Sequence, residues 1–393
     1  MLKVAVKFTA IIDNIQLISL NRKHKRCFMY IGLIVGARPN FVKIAPIIRE
    51  IKKRKDNISY TVIHTGQHYD KILSEAFLEV LGIEQPKINL GVGSASHGIQ
   101  TGKIMIALEP VIKESNFKWV ITVGDVNSTV AASLVSVKLG IKTAHVEAGL
   151  RSFDRSMPEE INRIATDCIS DLLFVTEQSG LDNLEREGVD SEKVKFVGNV
   201  MIDTLIYLLP EARKLKTWEN YKLIPNEYIL VTLHRPNNVD NKEKLDELIG
   251  ALIEISKSIQ VIFPLHPRTE KRLHEFYLYE PLTSATGVTI TKALDYLTFL
   301  SLVSSARAVF TDSGGIQEET TYLGIPCATL RSNTERPSTI NTGTNELIQP
   351  ERNAVLAAFN LLEKGRWKKG GIPPKWDGKA AERIINELEE AIF

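Results

Sequence analysis

Thr311-Asp312-Ser313-Gly314-Gly315-Ile316-Gln317-Glu318-Glu319-Thr320 follows directly on the apolar run Ala308-Val309-Phe310. An apolar strand that breaks into two glycines and then opens a helix is a strand-turn-helix junction suited to cradle a diphosphate. Glycines let backbone N–H groups approach an anion, and the first turn of the helix adds unpaired N–H donors and the positive end of its dipole. Glu318 and Glu319, one turn further on, are placed to accept hydrogen bonds from ribose hydroxyls. Ser-Gly-Gly before a helix can also be an ordinary tight turn, so the reading depends on what the rest of the chain places around it.

Outward from this junction, short β-branched runs alternate with amphipathic helical stretches, which predicts parallel sheets covered by helices on both faces. Expected strands are 30–35, 61–64, 119–123, 143–146, 172–175 and 194–197 in a first domain. A second set is expected at 228–233, 261–265, 288–291, 308–311 and 327–330. A hinge is expected near Gly198-Asn199. The division is an extension over 1–28, a first Rossmann-like domain over 29–200 and a second, nucleotide-binding one over 201–378, with the amphipathic helix 379–393 packing back onto the first. Residues 1–28 carry an apolar patch followed by a basic run, the reverse of a signal peptide, and the patch is about half the ~20 residues that span a bilayer. They read as an appendage, or as lying upstream of a natural start at Met29, with a peripheral hairpin or helix as the alternative.

At 393 residues and 44% apolar composition the chain can bury two cores, and its net charge of +2 is spread without acidic or basic blocks. Neither nucleic acid nor a membrane is therefore expected as a partner. Cys27, Cys168 and Cys327 are far apart and odd in number, which suits a reducing cytoplasm. No HExxH, CxxC pair, dinucleotide fingerprint or Walker loop occurs, so no metal, bound NAD or ATP hydrolysis is expected. His64 and His68 are four apart, but glycine between them argues against a shared helical face and hence against a metal site.

In doubly wound folds ligands lie beyond the carboxyl ends of strands, and the polar residues of this chain concentrate there. Gly36-Ala37-Arg38-Pro39-Asn40, Gly124-Asp125, Glu147-Ala148-Gly149 and His234-Arg235-Pro236 each follow an expected strand, as do His266-Pro267-Arg268 and the polar loop holding Arg336. Asp125 is either a helix cap or a functional acid. Glu147 ends a mostly apolar strand, where an unpaired carboxylate is costly. Glu159 begins a helix, a place that favours acids in any protein. Three carboxylates brought to one cleft would repel, separating their affinities for protons and suiting them to acid and base work. His234 beside Arg235 gives a titratable group next to a fixed cation, and Arg336 facing the Ser-Gly-Gly turn would clamp a diphosphate from the other side.

Taken in order, the segments G-x-R-P (from Gly36), G-D (Gly124), H-V-E-A-G-L-R (from His145), P-E-E-x-N-R (from Pro158), H-R (His234), D-S-G-G-I-Q-E-E (from Asp312) and T-E-R-P (from Thr334) resemble the non-hydrolysing UDP-N-acetylglucosamine 2-epimerases. The resemblance runs from about Met29 to the C-terminus. It implies a GT-B type α/β architecture, two Rossmann-like domains facing an interdomain cleft, in a homodimer without a cofactor. It also implies a UDP-sugar site of Arg38, Lys43, His266, Phe299, Ser313, Gly314, Gly315, Glu319 and Arg336. Asp125, Glu147, Glu159 and His234 would surround the sugar. An effector subsite would involve Gln67, His68 and Arg235, although Asp70 stands where the family's Q-H-x-Q segment has its second glutamine.

The reaction implied is anti elimination of UDP to 2-acetamidoglucal followed by syn re-addition on the other face of C2. Alternatives are epimerisation of UDP-2,3-diacetamido-2,3-dideoxy-glucuronate, a hydrolysing epimerase, a UDP-sugar glycosyltransferase of the same architecture, and a catalytically silent nucleotide-sugar sensor.

Overall fold

The computed structural model describes residues 29–54, 57–66 and 75–391. The extension 1–28 and the effector residues Gln67 and His68 lie outside the described residues, as does Cys27. The chain divides into two compact units, one reaching Thr204 and taking in the C-terminal segment from Asp377, the other Leu205–Trp376.

In the first unit, β1 (Met29–Val35), β2 (Ile58–His64), β3 (Ile88–Asn89), β4 (Trp119–Val123), β5 (Lys142–Ala148), β6 (Leu172–Val175) and β7 (Val194–Phe196) form a parallel sheet in the order β3-β2-β1-β4-β5-β6-β7. The second unit repeats the plan with β8 (Tyr228–Thr232), β9 (Gln260–Leu265), β10 (Val288–Lys292), β11 (Ala308–Thr311), β12 (Cys327–Leu330) and β13 (Asn345–Ile348), ordered β10-β9-β8-β11-β12-β13. Successive side chains of a strand point to opposite faces, so a strand covered on both sides must be apolar throughout. Strand β8 shows this directly: Ile229 and Val231 enter a core with Phe263 and Phe310, while Tyr228 and Leu230 enter another with Ile262 and Val309.

Both sheets reverse their winding at one point, between β1 and β4 in the first unit and between β8 and β11 in the second. Ladder pairing there is parallel, with Ile31 opposite Trp119 and Ala308 opposite Ile229. At such a switch point the connections leave to opposite sides and open a crevice at the strands' carboxyl ends. The residues after β1 and β4 are the Gly36 and Gly124 turns, and those after β8 and β11 are His234-Arg235 and Asp312-Ser313-Gly314.

Two strands have no counterpart in the sequence reading. β3 is two residues long, too short to carry a period. β13 begins with a buried polar residue, Asn345, whose amide donates to Gln317 Oε1 and Thr339 Oγ1 at 3.1 Å each, so its pattern does not read as a strand. At the expected hinge Gly198 has φ +90°, Asn199 Oδ1 accepts from Met201 N at 2.8 Å, and the helix Val200–Leu215 that follows carries the division between the units, at Thr204/Leu205. The C-terminal helix Ala380–Glu390 belongs to the first unit. Asp203 accepts from the N–H groups of Ala380 and Ala381 at 3.2 and 2.8 Å, and Arg54 binds Glu389 and Asn386. Burial pushes the Asp203 carboxyl up to about 6 despite those two donors.

Candidate active site

In the first unit the site grows from three turns. After β1, Asn40 Oδ1 accepts from the N–H groups of Gly36 and Ala37 at 3.0 and 2.9 Å, and its amide donates to Val123 O at 3.1 Å. One residue thus fixes the start of the helix Arg38–Lys53 against the end of β4. Arg38 opens that helix with its guanidinium over the Phe77 ring, 4.5 Å from the centroid. Lys43, a turn and a half later and buried, reaches Glu147 Oε2 at 2.5 Å.

Gly124, after β4, has φ +70°, and a Cβ there would lie 2.9 Å from Lys43 Nζ, so only glycine combines this backbone with that cation. Asp125 is not a helix cap: the capping position of the helix Asn127–Lys138 is Val126, and the Asp125 carboxylate is bound by Arg163. Asn162 holds the Asp125 carbonyl at 2.9 Å. Arg163 also donates to Glu160 Oε2 at 2.7 Å. Glu160 is buried and further accepts from Ser152 N and Phe153 N, and although burial opposes its charge these donors hold the carboxyl below its ordinary range. The two neighbouring acids therefore differ. Glu160 braces the loop, while Glu159, partly exposed in the first turn of the helix Pro158–Ile169, has no side-chain partner among the described residues.

Glu147 sits in β5 with φ +74°, in the left-handed region, where the ladder to β6 shifts register between Val146 and Ala148. A non-glycine residue held there costs about 1–3 kcal/mol, a strain that concentrates at functional sites. Its side chain is 3% exposed; Oε2 takes Lys43 and Oε1 is buried with no hydrogen-bond partner. The expected cost of burying this acid is thus met on one oxygen only.

In the second unit, Ser313 occupies the capping position of the helix Gly314–Leu323 but its hydroxyl makes no capping bond. A Cβ on Gly314 would lie 2.7 Å from Arg336 Nη1, so the guanidinium packs directly on the glycine turn. Arg336 is held by Glu318 at 2.9 Å and by Glu335. Glu318, expected to face a ribose, is buried and sets its Oε1 against this guanidinium. Glu319, also buried, accepts from Tyr296 O–H at 2.7 Å. Burial, with Glu318 beside it, pushes its carboxyl up to about 7.

Phe299 lies on the helix Tyr296–Val303, partly buried against the core that contains Leu302 and Ile316. Gly315 follows Gly314 in the same half-open first turn. Arg235 donates to Asp312 O at 3.1 Å and lies 4.0 Å from Glu335.

His234 stands 2.8 Å from Asp312 through Nδ1, and Asp312 is fully buried and also accepts from the N–H groups of His234 and Arg235. This fixes the imidazole with Nδ1 protonated and Nε2 outward, the usual arrangement for a histidine oriented by a carboxylate. His266 caps the helix Pro267–Glu275 by accepting from Arg268 N at 3.2 Å through Nδ1, which places its proton on Nε2. Partial desolvation and the nearby His234 keep it below the ordinary histidine range; the two ring centroids are 5.6 Å apart. Among the described residues no group of three or more His, Cys, Asp and Glu side chains could hold a metal ion, and no helix is long and apolar enough to cross a membrane.

The family model for UDP-N-acetylglucosamine 2-epimerase matches residues 49–389. The chain belongs to that family. It is an isomerase family, and the chain shares its fold of two parallel-sheet, Rossmann-like units. A UDP-N-acetylglucosamine 2-epimerase of Methanocaldococcus jannaschii is 43% identical over 92% of this chain and 99% of its own length. The crystal structure of a Methanocaldococcus jannaschii UDP-GlcNAc 2-epimerase in complex with UDP-GlcNAc and UDP superposes with a TM-score of 0.83 at 42% identity, covering 92% of this chain and all of that one. A UDP-2,3-diacetamido-2,3-dideoxy-D-glucuronate 2-epimerase of Pseudomonas aeruginosa is 38% identical over 92% of this chain and 99% of its own length.

Several supporting residues of this family member escaped the sequence reading. Asp312 was quoted only as part of the glycine turn, and Arg163 only as part of a motif. Asp167, which meets His145 and Arg151, has no signal at all, since it lies in the last turn of a helix and its partners come from β5 and the loop after it.

Proposed function

We propose that this protein catalyses the reversible C2 epimerisation of UDP-N-acetylglucosamine to UDP-N-acetylmannosamine. The observation that carries the reading is the state of Glu147: one oxygen on Lys43 at 2.5 Å, the other buried with no donor. An oxygen so placed is suited to accept a proton, and backbone strain of the kind that presents it concentrates at functional sites.

The C2 proton of a hexose is not next to a carbonyl and cannot leave to a stabilised carbanion, so the anomeric C–O bond must break first. UDP departs with that electron pair. A carboxylate then removes the C2 proton, giving 2-acetamidoglucal. Return of a proton to the opposite face and re-addition of UDP to C1 complete the epimerisation. The second unit supplies the nucleotide groups: the Ser313-Gly314-Gly315 turn and Arg336 for the diphosphate, Glu319 for ribose and Phe299 for uracil, with His266 as a further contact. In the first unit, Arg38 and Lys43 are further candidates for contact with the UDP-sugar. Each preorganised donor to the departing UDP can be worth ~3 kcal/mol. Asp125, Glu147 and Glu159 of the first unit are the candidate proton-transfer groups that two faces of C2 require, and His234 is the second unit's candidate. The protein acts without metal or organic cofactor, as a cytoplasmic homodimer. Higher identity to the N-acetylglucosamine enzyme, 43% against 38%, favours that sugar over the diacetamido uronate.

Proton NMR of the full chain with UDP-N-acetylglucosamine in D2O, without added metal, tests the reading. The manno epimer carrying deuterium at C2 is expected. Free N-acetylmannosamine with UDP would mean hydrolysis, and turnover of the diacetamido uronate alone would move the substrate.

A further inference from the structure

β5 carries a second titratable residue that the proposed chemistry does not use. His145 is fully buried, with Nδ1 2.6 Å from Asp167 Oδ1 and Nε2 2.8 Å from the carbonyl oxygen of Gly124. Both neighbours are acceptors. A carbonyl oxygen can only accept, so Nε2 donates to Gly124, and Asp167 Oδ2 is already committed to Gly149 N at 3.0 Å and to Arg151 at 2.7 Å. Burial opposes charge on Asp167, yet His145 and Arg151 hold its carboxyl below the usual range. Arg151 in turn grips Glu187 through two bonds of 2.8 and 2.7 Å. A neutral imidazole would leave one of its nitrogens without a proton against a buried acceptor, the costlier arrangement.

The two ends of this pair touch the two turns that carry the acids. His145 holds the carbonyl of Gly124, directly before Asp125; Asp167 holds the N–H of Gly149, two residues after Glu147. We propose that His145 and Asp167 form a positioning pair, with the imidazole donating from both nitrogens, that fixes the turns bearing Asp125 and Glu147 relative to each other. The kinetic part of this inference rests on the epimerase reading above; the proton count and the coupling of the turns do not. The pair touches neither substrate nor reacting atom, and its action is through the backbone of the two turns.

The test uses two substitutions of the full chain that separate the two bonds. The amide nitrogen of His145→Gln falls where Nε2 lies and keeps the donor to Gly124, whereas that of His145→Asn falls where Nδ1 lies and keeps only the bond to Asp167. Carboxyl 13C signals of Asp125 and Glu147 report their surroundings whether or not the protein turns over a substrate. His145→Asn is expected to shift the Asp125 signal and its titration, and His145→Gln the Glu147 signal, each variant following the bond it gives up. Imidazole 15N signals of the wild type are expected to show a proton on both His145 nitrogens at neutral pH. In turnover, kcat of both variants should fall by at least ~10-fold with KM within a few-fold, the loss of positioned proton-transfer groups. Equal carboxyl shifts in the two variants, losses that follow melting temperature alone, or a wild-type imidazole with one bare nitrogen would overturn the proposal. A wild-type protein inactive on every UDP-sugar would refute the epimerase reading while the carboxyl and imidazole signals still decide the pair.

Discussion

The two units share one winding plan and load it with opposite chemistry. At the switch point of the first, cations hold the candidate acids: Lys43 binds Glu147, and Arg163 binds Asp125 together with Glu160. At the switch point of the second, the acids serve the cations. Glu335 is gripped by Arg331 and Arg336 with Arg235 at 4.0 Å, and Glu318 takes Arg336 from another side. Burial alone would raise Glu335, but Arg336, Arg331 and Arg235 hold it far below the usual carboxylate range. A carboxylate so committed cannot move protons; it locks guanidiniums in place for an anion. Glu147 keeps one oxygen uncommitted and is suited to the other task. On the proposed reading, one type of crevice serves anion binding or proton transfer according to which partner is left unsatisfied.

Breaking that division should have its largest effect at Glu147. Glu147→Gln keeps the volume and an acceptor for Lys43, so UDP affinity is expected to stay within a few-fold while turnover falls by at least ~10²-fold, as for a lost acid-base group. Calorimetry with UDP and steady-state rates read the two terms separately. A loss of UDP binding without loss of turnover would reverse the assignment of the units. Next comes Arg336→Lys, which retains a charge but not the planar fork that meets Gly314, Glu318 and Glu335 together. It is expected to lower kcat by ~10-fold to 10²-fold and to weaken UDP, somewhat less than the ~10² to 10³ typical of deleting a preorganised donor. An unaltered rate and UDP affinity would remove Arg336 from the clamp.

What the sequence made legible was whatever is encoded locally. Each strand that ends in a glycine turn could be read because apolar run, glycine and helix start are contiguous, and the acids after those strands could be read with them. Residues whose role depends on chain segments far apart could not. Glu159 and Glu160 are adjacent and identical in type, yet only the packing of the loop at Ser152 and Phe153 makes Glu160 a brace. Glu318 and Glu319 are likewise equivalent on paper, and the approach of Arg336 from the loop after β12 separates them. Asn345 conceals β13 because its side chain satisfies buried polar groups where a strand pattern calls for an apolar residue.

Glu319 supplies the smallest and sharpest test of the comparison, since the partner of its buried carboxylate is the Tyr296 phenol and not a guanidinium. Its folded carboxyl stands at about 7 against an ordinary 4.5, so between those values the unfolded chain releases a proton that the folded one retains. Stability from this group is therefore complete below about 4.5 and is lost as pH rises through about 7, by about 3 kcal/mol at most. Glu319→Gln removes the titration and leaves an acceptor for Tyr296. Its melting temperature relative to wild type should rise steadily between pH 5 and roughly 7.5 and then level, and taking the difference cancels Asp203 and the histidines, which titrate in both proteins. Ionisation also makes Glu319 the better acceptor for ribose hydroxyls, so wild-type UDP affinity should improve through pH 7 while that of the variant stays level. A melting difference independent of pH would show Glu319 already charged in the folded protein. The second unit would then hold an unpaired carboxylate, as the first does at Glu159, and the contrast between the two units would lose its strictness at the ribose end of the cradle.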